Sequence, residues 1–262
     1  MLGMKYAVNL NTVLPVRAEP RESSEMVTQL LFGEFCRILG EENGFCLVEN
    51  YLDGYKGWAD KKMLHEVEDN IFHEFVGKPS YRTKSAITEA VCLDDDMVYR
   101  LSAGSLLPFY KPDVSTFGIA DRSFRISPGF AKHINQLSKH DIIENARMFL
   151  NTPYLWGGKN IFGIDCSGFV QVVYSLSGYF LPRDASLQEK EGKRISGLPE
   201  TISADLMFFE KSGKIAHVGI YLGNNRIIHS SGKVRIDKVD EHGIFNEEVS
   251  GYTHRLASIK RI

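Results

Sequence analysis

Of the four cysteines, Cys36, Cys46, Cys92 and Cys166, only Cys166 opens a segment of helical periodicity. In Asp165-Cys-Ser-Gly-Phe-Val-Gln-Val-Val-Tyr-Ser-Leu176 the apolar residues recur at 169, 172, 173 and 176. A thiol in the first turn of a helix meets unpaired backbone N–H groups and the positive end of the helix dipole. Both favour thiolate, and the same N–H groups can stabilise an oxyanion. Nucleophilic catalysis also needs a base. His217 begins one apolar strand-like segment and His229 ends the next, so neighbouring antiparallel strands can bring the two rings together. The chemistry this predicts is attack by Cys166, proton transfer to His217 and orientation of His217 by His229, a Cys-His-polar triad. The same residues also fit a buried core thiol with two strand-edge histidines, and spacing alone leaves both readings open.

Cys36 and Cys46 sit in apolar strand-like runs (Phe35-Cys-Arg-Ile-Leu39 and Phe45-Cys-Leu-Val48) and read as core residues. No C-x-x-C pair or zinc-type Cys/His spacing occurs, so neither a structural metal, a disulfide framework nor a cofactor is expected. Asp94-Asp-Asp96 reads as a solvated turn rather than a metal site. From residue 5 to about 133 the pattern is all-β: short alternating runs broken at Gly33-Glu34, Glu42-Asn-Gly44 and Asp53-Gly54, then at Asp94 to Asp96 and Ser102-Ala-Gly104. Two small barrels fit that spacing. Near Ser138 the character changes. Asp141 to Leu150 carries an amphipathic stripe with Ser138 or Asp141 as its cap, and Pro153 ends it. A glycine-rich loop (Trp156-Gly-Gly158, Gly163) leads to the Cys166 helix. Strands then follow at Asp205 to Phe209, His217 to Leu222, Arg226 to His229 and Val234 to Asp237, with Gly223-Asn-Asn225 as a hairpin. Helices followed by an antiparallel sheet make the fold class α+β.

The 262 residues are 43% hydrophobic and 24% charged with a net charge of −2, the profile of a folded globular protein without the basic field that draws a chain onto nucleic acid or anionic lipid. The most apolar stretch, Phe169 to Leu181, is interrupted by polar residues and falls short of a membrane span. The first residues lack a secretory leader, which points to a cytoplasmic location; a leader removed from the chain would instead make it periplasmic or secreted. No obligate protein partner is evident.

Residues 138 to 240 resemble the NlpC family of papain-like bacterial cell-wall cysteine peptidases. The matching pieces are Pro153-Tyr-Leu-Trp-Gly-Gly158, Asp165-Cys-Ser-Gly-Phe169, Leu181-Pro-Arg-Asp184 with Gln188, Ala204-Asp-Leu-Met-Phe-Phe209, His217-Val-Gly-Ile-Tyr-Leu-Gly223 and Ile228-His229. Ala204 departs from the glycine usual in the family, for which a small backbone adjustment is expected. The resemblance implies Cys166 as nucleophile, His217 as base and His229 as orienting residue, with Tyr154 and the Cys166 amide at the oxyanion and Trp156 walling the cleft.

The resemblance also implies an organisation into a first bacterial SH3-like domain (1–75), a second (76–135) and an NlpC-type peptidase domain (136–262). That order is similar to the YkfC-type group of γ-D-glutamyl-L-diamino acid endopeptidases, which cut after D-Glu in murein peptides that carry a free N-terminal L-Ala. A buried ammonium requires a carboxylate beside it. Asp165, Glu34 and Tyr55 are the implied amine ligands, and Asp165 also qualifies as a helix N-cap. By repulsion Asp165 raises the Cys166 pKa, so a substrate ammonium is expected to help activate the thiol. Ser167 is expected to face the substrate backbone, and Arg183 either to pair with Asp184 or to meet the D-Glu carboxylate. Lysine and diaminopimelate remain equally open as the third residue. Competing readings are a secreted hydrolase of intact wall, an inert wall-binding protein, and a papain-like acyltransferase or amidase with another substrate.

Overall fold

The computed structural model describes residues 5–76, 78, 80–119, 121–134 and 139–262. The chain divides into two compact units, Met1–Gln136 with Lys159–Ile161, and Leu137–Gly158 with Phe162–Ile262.

In the first unit the alternating runs become strands β1 (Lys5–Asn9), β2 (Val13–Arg17), β3 (Met26–Leu31), β4 (Phe35–Glu42), β5 (Phe45–Asn50), β6 (Lys56–Asp60) and β7 (Leu64–Val67). They form one antiparallel sheet in the order β3-β2-β6-β5-β4-β1-β7. Asn43 and Gly44 join β4 to β5 with φ of 51° and 80°, as a type I′ hairpin requires. Ala7, Leu14, Val16, Leu30, Cys36, Cys46, Val48 and Ala59 share the core, so both thiols are packing residues.

A helix follows that is not among the expected elements, α1 (Asp69–Val76). Its apolar residues Ile71, Phe72, Phe75 and Val76 fall at helical spacing on one face, and that face packs: Phe72 stacks on Tyr6 with ring centroids 3.8 Å apart, and Phe75 stacks on Phe35. Beyond it come β8 (Tyr81–Thr83), β9 (Ile87–Cys92), β10 (Val98–Ser102), β11 (Thr116–Ile119), β12 (Arg122–Ile126) and β13 (Ala131–His133). They form a sheet β10-β9-β12-β11 and a β8–β13 pair. Phe32, from the turn between β3 and β4, is buried in their core with Cys92, Leu101, Phe117 and Phe124, which welds the two sheets into one unit. At the acidic tip, Asp94 accepts from the Ser123 N–H (2.9 Å) and Asp95 pairs with Arg122 (2.8 Å).

In the second unit, α2 runs Lys139–Met148. Asp141 lies inside its first turn, and the alternative cap, Ser138, falls outside the described residues. Two short strands follow, β14 (Lys159–Asn160), which belongs to the first unit, and β15 (Gly163–Ile164). Helices α3 (Cys166–Ser175) and α4 (Ala185–Gln188) come next. The sheet comprises β16 (Lys193–Ile195), β17 (Leu206–Lys211), β18 (Lys214–Gly223), β19 (Arg226–Ser231), β20 (Lys233–Val239), β21 (Gly243–Asn246) and β22 (Gly251–Arg261), in the order β16-β22-β17-β18-β19-β20-β21. Because β21 also pairs with β22, strands β17 to β22 close a circuit around Met207, Phe209, Tyr221, Ile227, Val239, Ile244 and Ile259. Every residue of α3 is buried, and the helix packs on β18 and β19. Ala204 does not adjust away from the glycine conformation. It adopts φ of 71° itself, held by its N–H to the Tyr221 carbonyl (2.8 Å) and by the Tyr174 hydroxyl on its own carbonyl. Among the described residues no helix is long and apolar enough to cross a membrane.

Candidate active site

Asp165 is extended (φ −88°, ψ 177°) and caps α3 by accepting the Gly168 N–H on Oδ1 (2.7 Å), which starts the helix at Cys166. Four further donors reach the same carboxylate: the Ser167 hydroxyl (3.3 Å), the Gly157 N–H (2.8 Å), Arg183 Nη1 (3.0 Å) and Arg183 Nη2 (2.6 Å). Arg183 also donates to Ser167 Oγ (2.8 Å). This bidentate pair is buried. The sequence suggested Asp184 as the brace for Arg183; the bonds of the guanidinium include Asp165 and Ser167, and Asp184 takes the N-cap position of α4. Asp165 thus has a cationic partner, Arg183, on both of its oxygens.

The Cys166 thiol is buried, 7% exposed. Burial, and after it the Asp165 carboxylate, push its pKa up to about 11, while the N–H groups of Val218 and Ser167 and the Arg183 charge pull the other way. The helix N-terminus therefore does not by itself make a resting thiolate.

His217 lies on β18 and His229 on β19, where His229 stands opposite Gly219. His217 Nε2 and His229 Nδ1 are 2.8 Å apart. A Cβ at position 219 would stand 2.8 Å from the Cβ of His229, so only glycine lets the two strands carry these rings side by side. Behind them are residues that the sequence motifs left unassigned. His229 Nε2 lies 2.9 Å from Asp237 Oδ2 on β20, and His254 of β22 stacks on His217 with centroids 4.2 Å apart. Arg235 and Asp237 occupy alternate positions of a strand, a charged pair on one face that could have flagged them; nothing near His254 marks its sequence as part of a site. Burial holds His217 well below the ordinary imidazole range, with His229 and His254 adding to it. His229 is lowered by burial against the opposing pull of Asp237, and His254 falls to about 4 mainly through burial.

Tyr154 is half-buried. Burial, and then the Cys166 and Asp165 charges, raise its hydroxyl to about 12, so it remains an O–H donor. Trp156 is 59% exposed on the glycine loop. Gln188 of α4, quoted in a motif without a role, ties the site together by donating to the carbonyls of Ser167 (3.0 Å) and Pro182 (2.8 Å). Glu34 and Tyr55 belong to the first unit. Glu34 is buried, accepts the Leu31 N–H (3.1 Å) and lies 3.3 Å from Lys159 Nζ; Tyr55 is half-buried and its N–H donates to Asp53 (3.0 Å).

Residues 151–252 match the NlpC/P60 family, and residues 12–65 match the bacterial SH3 domain. A γ-D-glutamyl-L-lysine dipeptidyl-peptidase of Bacillus subtilis strain 168 is 32% identical over 222 residues, 78% of this chain and 71% of the relative. The chain belongs to the NlpC/P60 family. Dipeptidyl-peptidase 6 of Lysinibacillus sphaericus is 25% identical over 92% of this chain and 95% of its own. The crystal structure of an NlpC/P60 family protein from Bacillus cereus ATCC 10987 covers 98% of this chain and 99% of its own with a TM-score of 0.83 at 20% identity, which shows a common fold. In this NlpC/P60 chain the matched region takes in Cys166, His217, His229 and Asp237 but ends before His254.

Proposed function

We propose that this protein is a cysteine peptidase that hydrolyses the γ-D-Glu to L-diamino acid bond of murein peptides carrying a free N-terminal L-Ala. The observation that carries the reading is the line of Cys166 at the start of α3, His217 on the strand packed against it, and His229 bonded to His217 at 2.8 Å. Family membership supports it. So does the likeness to a relative named for the γ-D-glutamyl-L-lysine bond and for release of a dipeptide.

In this mechanism the Cys166 sulfur attacks the γ-carbonyl carbon of D-Glu as the thiol proton passes to His217. The negative oxygen that results is stabilised by the Cys166 N–H and the Tyr154 hydroxyl. Collapse breaks the C–N bond, and His217 returns the proton to the departing amine. Water, deprotonated by His217, then hydrolyses the thioester, which releases L-Ala-γ-D-Glu and restores the thiol. Trp156 walls the cleft and Ser167 faces the peptide backbone, while Arg183 braces Asp165, with Asp184 in the adjoining turn. Asp165 is the proposed ligand of the ammonium in the second unit; Glu34 and Tyr55 are proposed amine-binding residues of the first. The finer architecture proposed is a papain-like peptidase domain at 136–262 behind two SH3-like modules at 1–75 and 76–135. The free-amine requirement suits small fragments in cell-wall recycling over intact wall.

Digestion of L-Ala-γ-D-Glu-L-Lys and its N-acetylated form, read by mass spectrometry for the native protein and Cys166→Ala, tests the proposal. Cleavage after D-Glu of the free peptide alone, lost in the variant, is expected. Equal cleavage of both peptides would remove the amine requirement, and cleavage of neither would overturn the peptidase reading.

A further inference from the structure

A histidine ring offers two nitrogens, and its partners decide which one carries the proton; a carboxylate, which can only accept, leaves no choice. Asp237 stands at the end of the histidine line. Its Oδ1 accepts from Arg235 Nη2 (3.0 Å), and its Oδ2 faces His229 Nε2 (2.9 Å) with Arg235 Nε also 2.8 Å away. Arg235 is opposite His229 in the β19–β20 register, and its other arm reaches Glu248 (2.9 Å), which fixes the guanidinium and through it the carboxylate plane. Although burial raises Asp237, the bonds from His229 and Arg235 bring its carboxyl below the ordinary range, so the group is an anion at neutral pH.

The proton positions then follow in series. Beside a carboxylate, His229 carries its proton on Nε2, which leaves Nδ1 of the neutral ring bare. Nδ1 is 2.8 Å from His217 Nε2, so His217 carries its proton there and its Nδ1 is bare. The reversed pair of tautomers would satisfy the His217–His229 bond equally well, but it would present an N–H to the thiol and no base. We propose that Asp237 is a positioning residue which selects between these two arrangements, so that His217 always offers an unprotonated Nδ1 to Cys166. This rests on the reading of Cys166 as nucleophile and His217 as its base. When His217 takes the thiol proton, the imidazolium is stabilised through its Nε2–H bond to His229 Nδ1, whose own Nε2–H is held by Asp237. The other ionisable groups around the line are His254, stacked on His217, and Glu247, exposed near Asp237.

The test is Asp237→Asn, which keeps the shape and removes the acceptor-only character. The charged Arg235 donor holds the amide oxygen, so the amide N–H turns to His229 Nε2 and reverses both tautomers. The kcat is expected to fall roughly 1,000- to 10,000-fold, the scale of a tautomer-reversing Asp-to-Asn change in a serine triad, with KM nearly unchanged. Nitrogen-15 NMR of histidine-labelled protein should show His217 Nδ1 bare in the native chain and protonated in the variant. Adding Arg235→Met frees the amide to rotate and should return at least tenfold of the lost kcat. A native spectrum with a proton on His217 Nδ1, or a folded Asp237→Asn protein with unchanged tautomers, would overturn the inference. The spectra and the rate of Cys166 alkylation by iodoacetamide need no peptide, so absence of peptidase activity would sink the functional reading while leaving this one decided separately. If Asp237→Asn fails to fold, the native spectrum decides.

Discussion

At the scale of single residues the site runs against the first expectation for a thiol on a helix end. Burial and Asp165 lift Cys166 to about 11, and burial with two neighbouring imidazoles pushes His217 well down. The signs combine one way: a proton prefers sulfur to His217 near neutrality, so the resting pair is thiol and imidazole rather than thiolate and imidazolium. Transfer then accompanies attack on the carbonyl, when the Cys166 N–H and Tyr154 can take up the charge that appears on oxygen. Alkylation of Cys166 by uncharged iodoacetamide should therefore climb by about tenfold per pH unit from pH 6 toward pH 10, with no shoulder at the acidic end. Liquid-chromatography mass spectrometry of the modified peptide gives the rate at each pH. A flat profile between pH 5 and 8 would mean that the ion pair is preformed. His229, His254 and the Asp165–Arg183 pair all face this couple, and none of them favours a cation on His217 except through the Asp237 relay.

At the scale of elements, much of the second unit was legible because its signals are local. The Asp165 cap and the 169, 172, 173, 176 stripe mark α3, and strand-like runs with turn residues mark β17 to β20. What escaped is what pairing at a distance creates. His254 reaches His217 only because β22 pairs with both β17 and β21, and Asp237 reaches His229 through a register two residues removed from the directly opposite Arg235. The short α1 escaped for a different reason: its stripe at 71, 72, 75 and 76 is at helical spacing but covers only two turns, set between strand-like runs. Gly219 shows how the elements constrain one another, for a methyl there would press on His229 Cβ and on the Ile227 side chain at 2.8 Å. Gly219→Ala should cost about 1–3 kcal/mol of stability by overpacking. It should also displace the His229 ring and lower kcat by about 100-fold, the scale of a misplaced catalytic group. Thermal unfolding and steady-state kinetics on the same preparation read both, and an alanine variant with native kinetics would mean that the ring positions do not depend on this contact.

At the scale of the whole molecule, a change of character near residue 138 was visible as a change in periodicity, yet Lys159–Ile161 could not be assigned from it. Reading along the sequence presumes continuous segments, whereas these three residues belong to the first unit although the chain on either side of them belongs to the second. The reason is a buried network. The Lys159 N–H donates to Gln29 Oε1 (2.8 Å), Asn160 Nδ2 donates to the same oxygen (2.8 Å), and Lys159 Nζ stands 3.3 Å from Glu34. Arg82, also buried, feels the same carboxylate. Glu34 therefore acts on both cations, on Lys159 at contact range and on Arg82 through its field, and the consequences of removing each partner differ. Lys159→Met leaves Glu34 with Arg82 as its remaining countercharge and should cost about 3 kcal/mol, the lower end for a broken buried pair. Glu34→Gln leaves Lys159 without its carboxylate and removes the charge whose field Arg82 feels, and should cost more, nearer about 5 kcal/mol. The double variant should be less destabilised than the sum, because the second substitution removes a charge that the first had left exposed to a dry interior. Denaturant titration of the four proteins measures all three differences. Equal losses for the two single variants would show that Arg82 does not share the carboxylate, and strict additivity would show that Lys159 does not depend on Glu34.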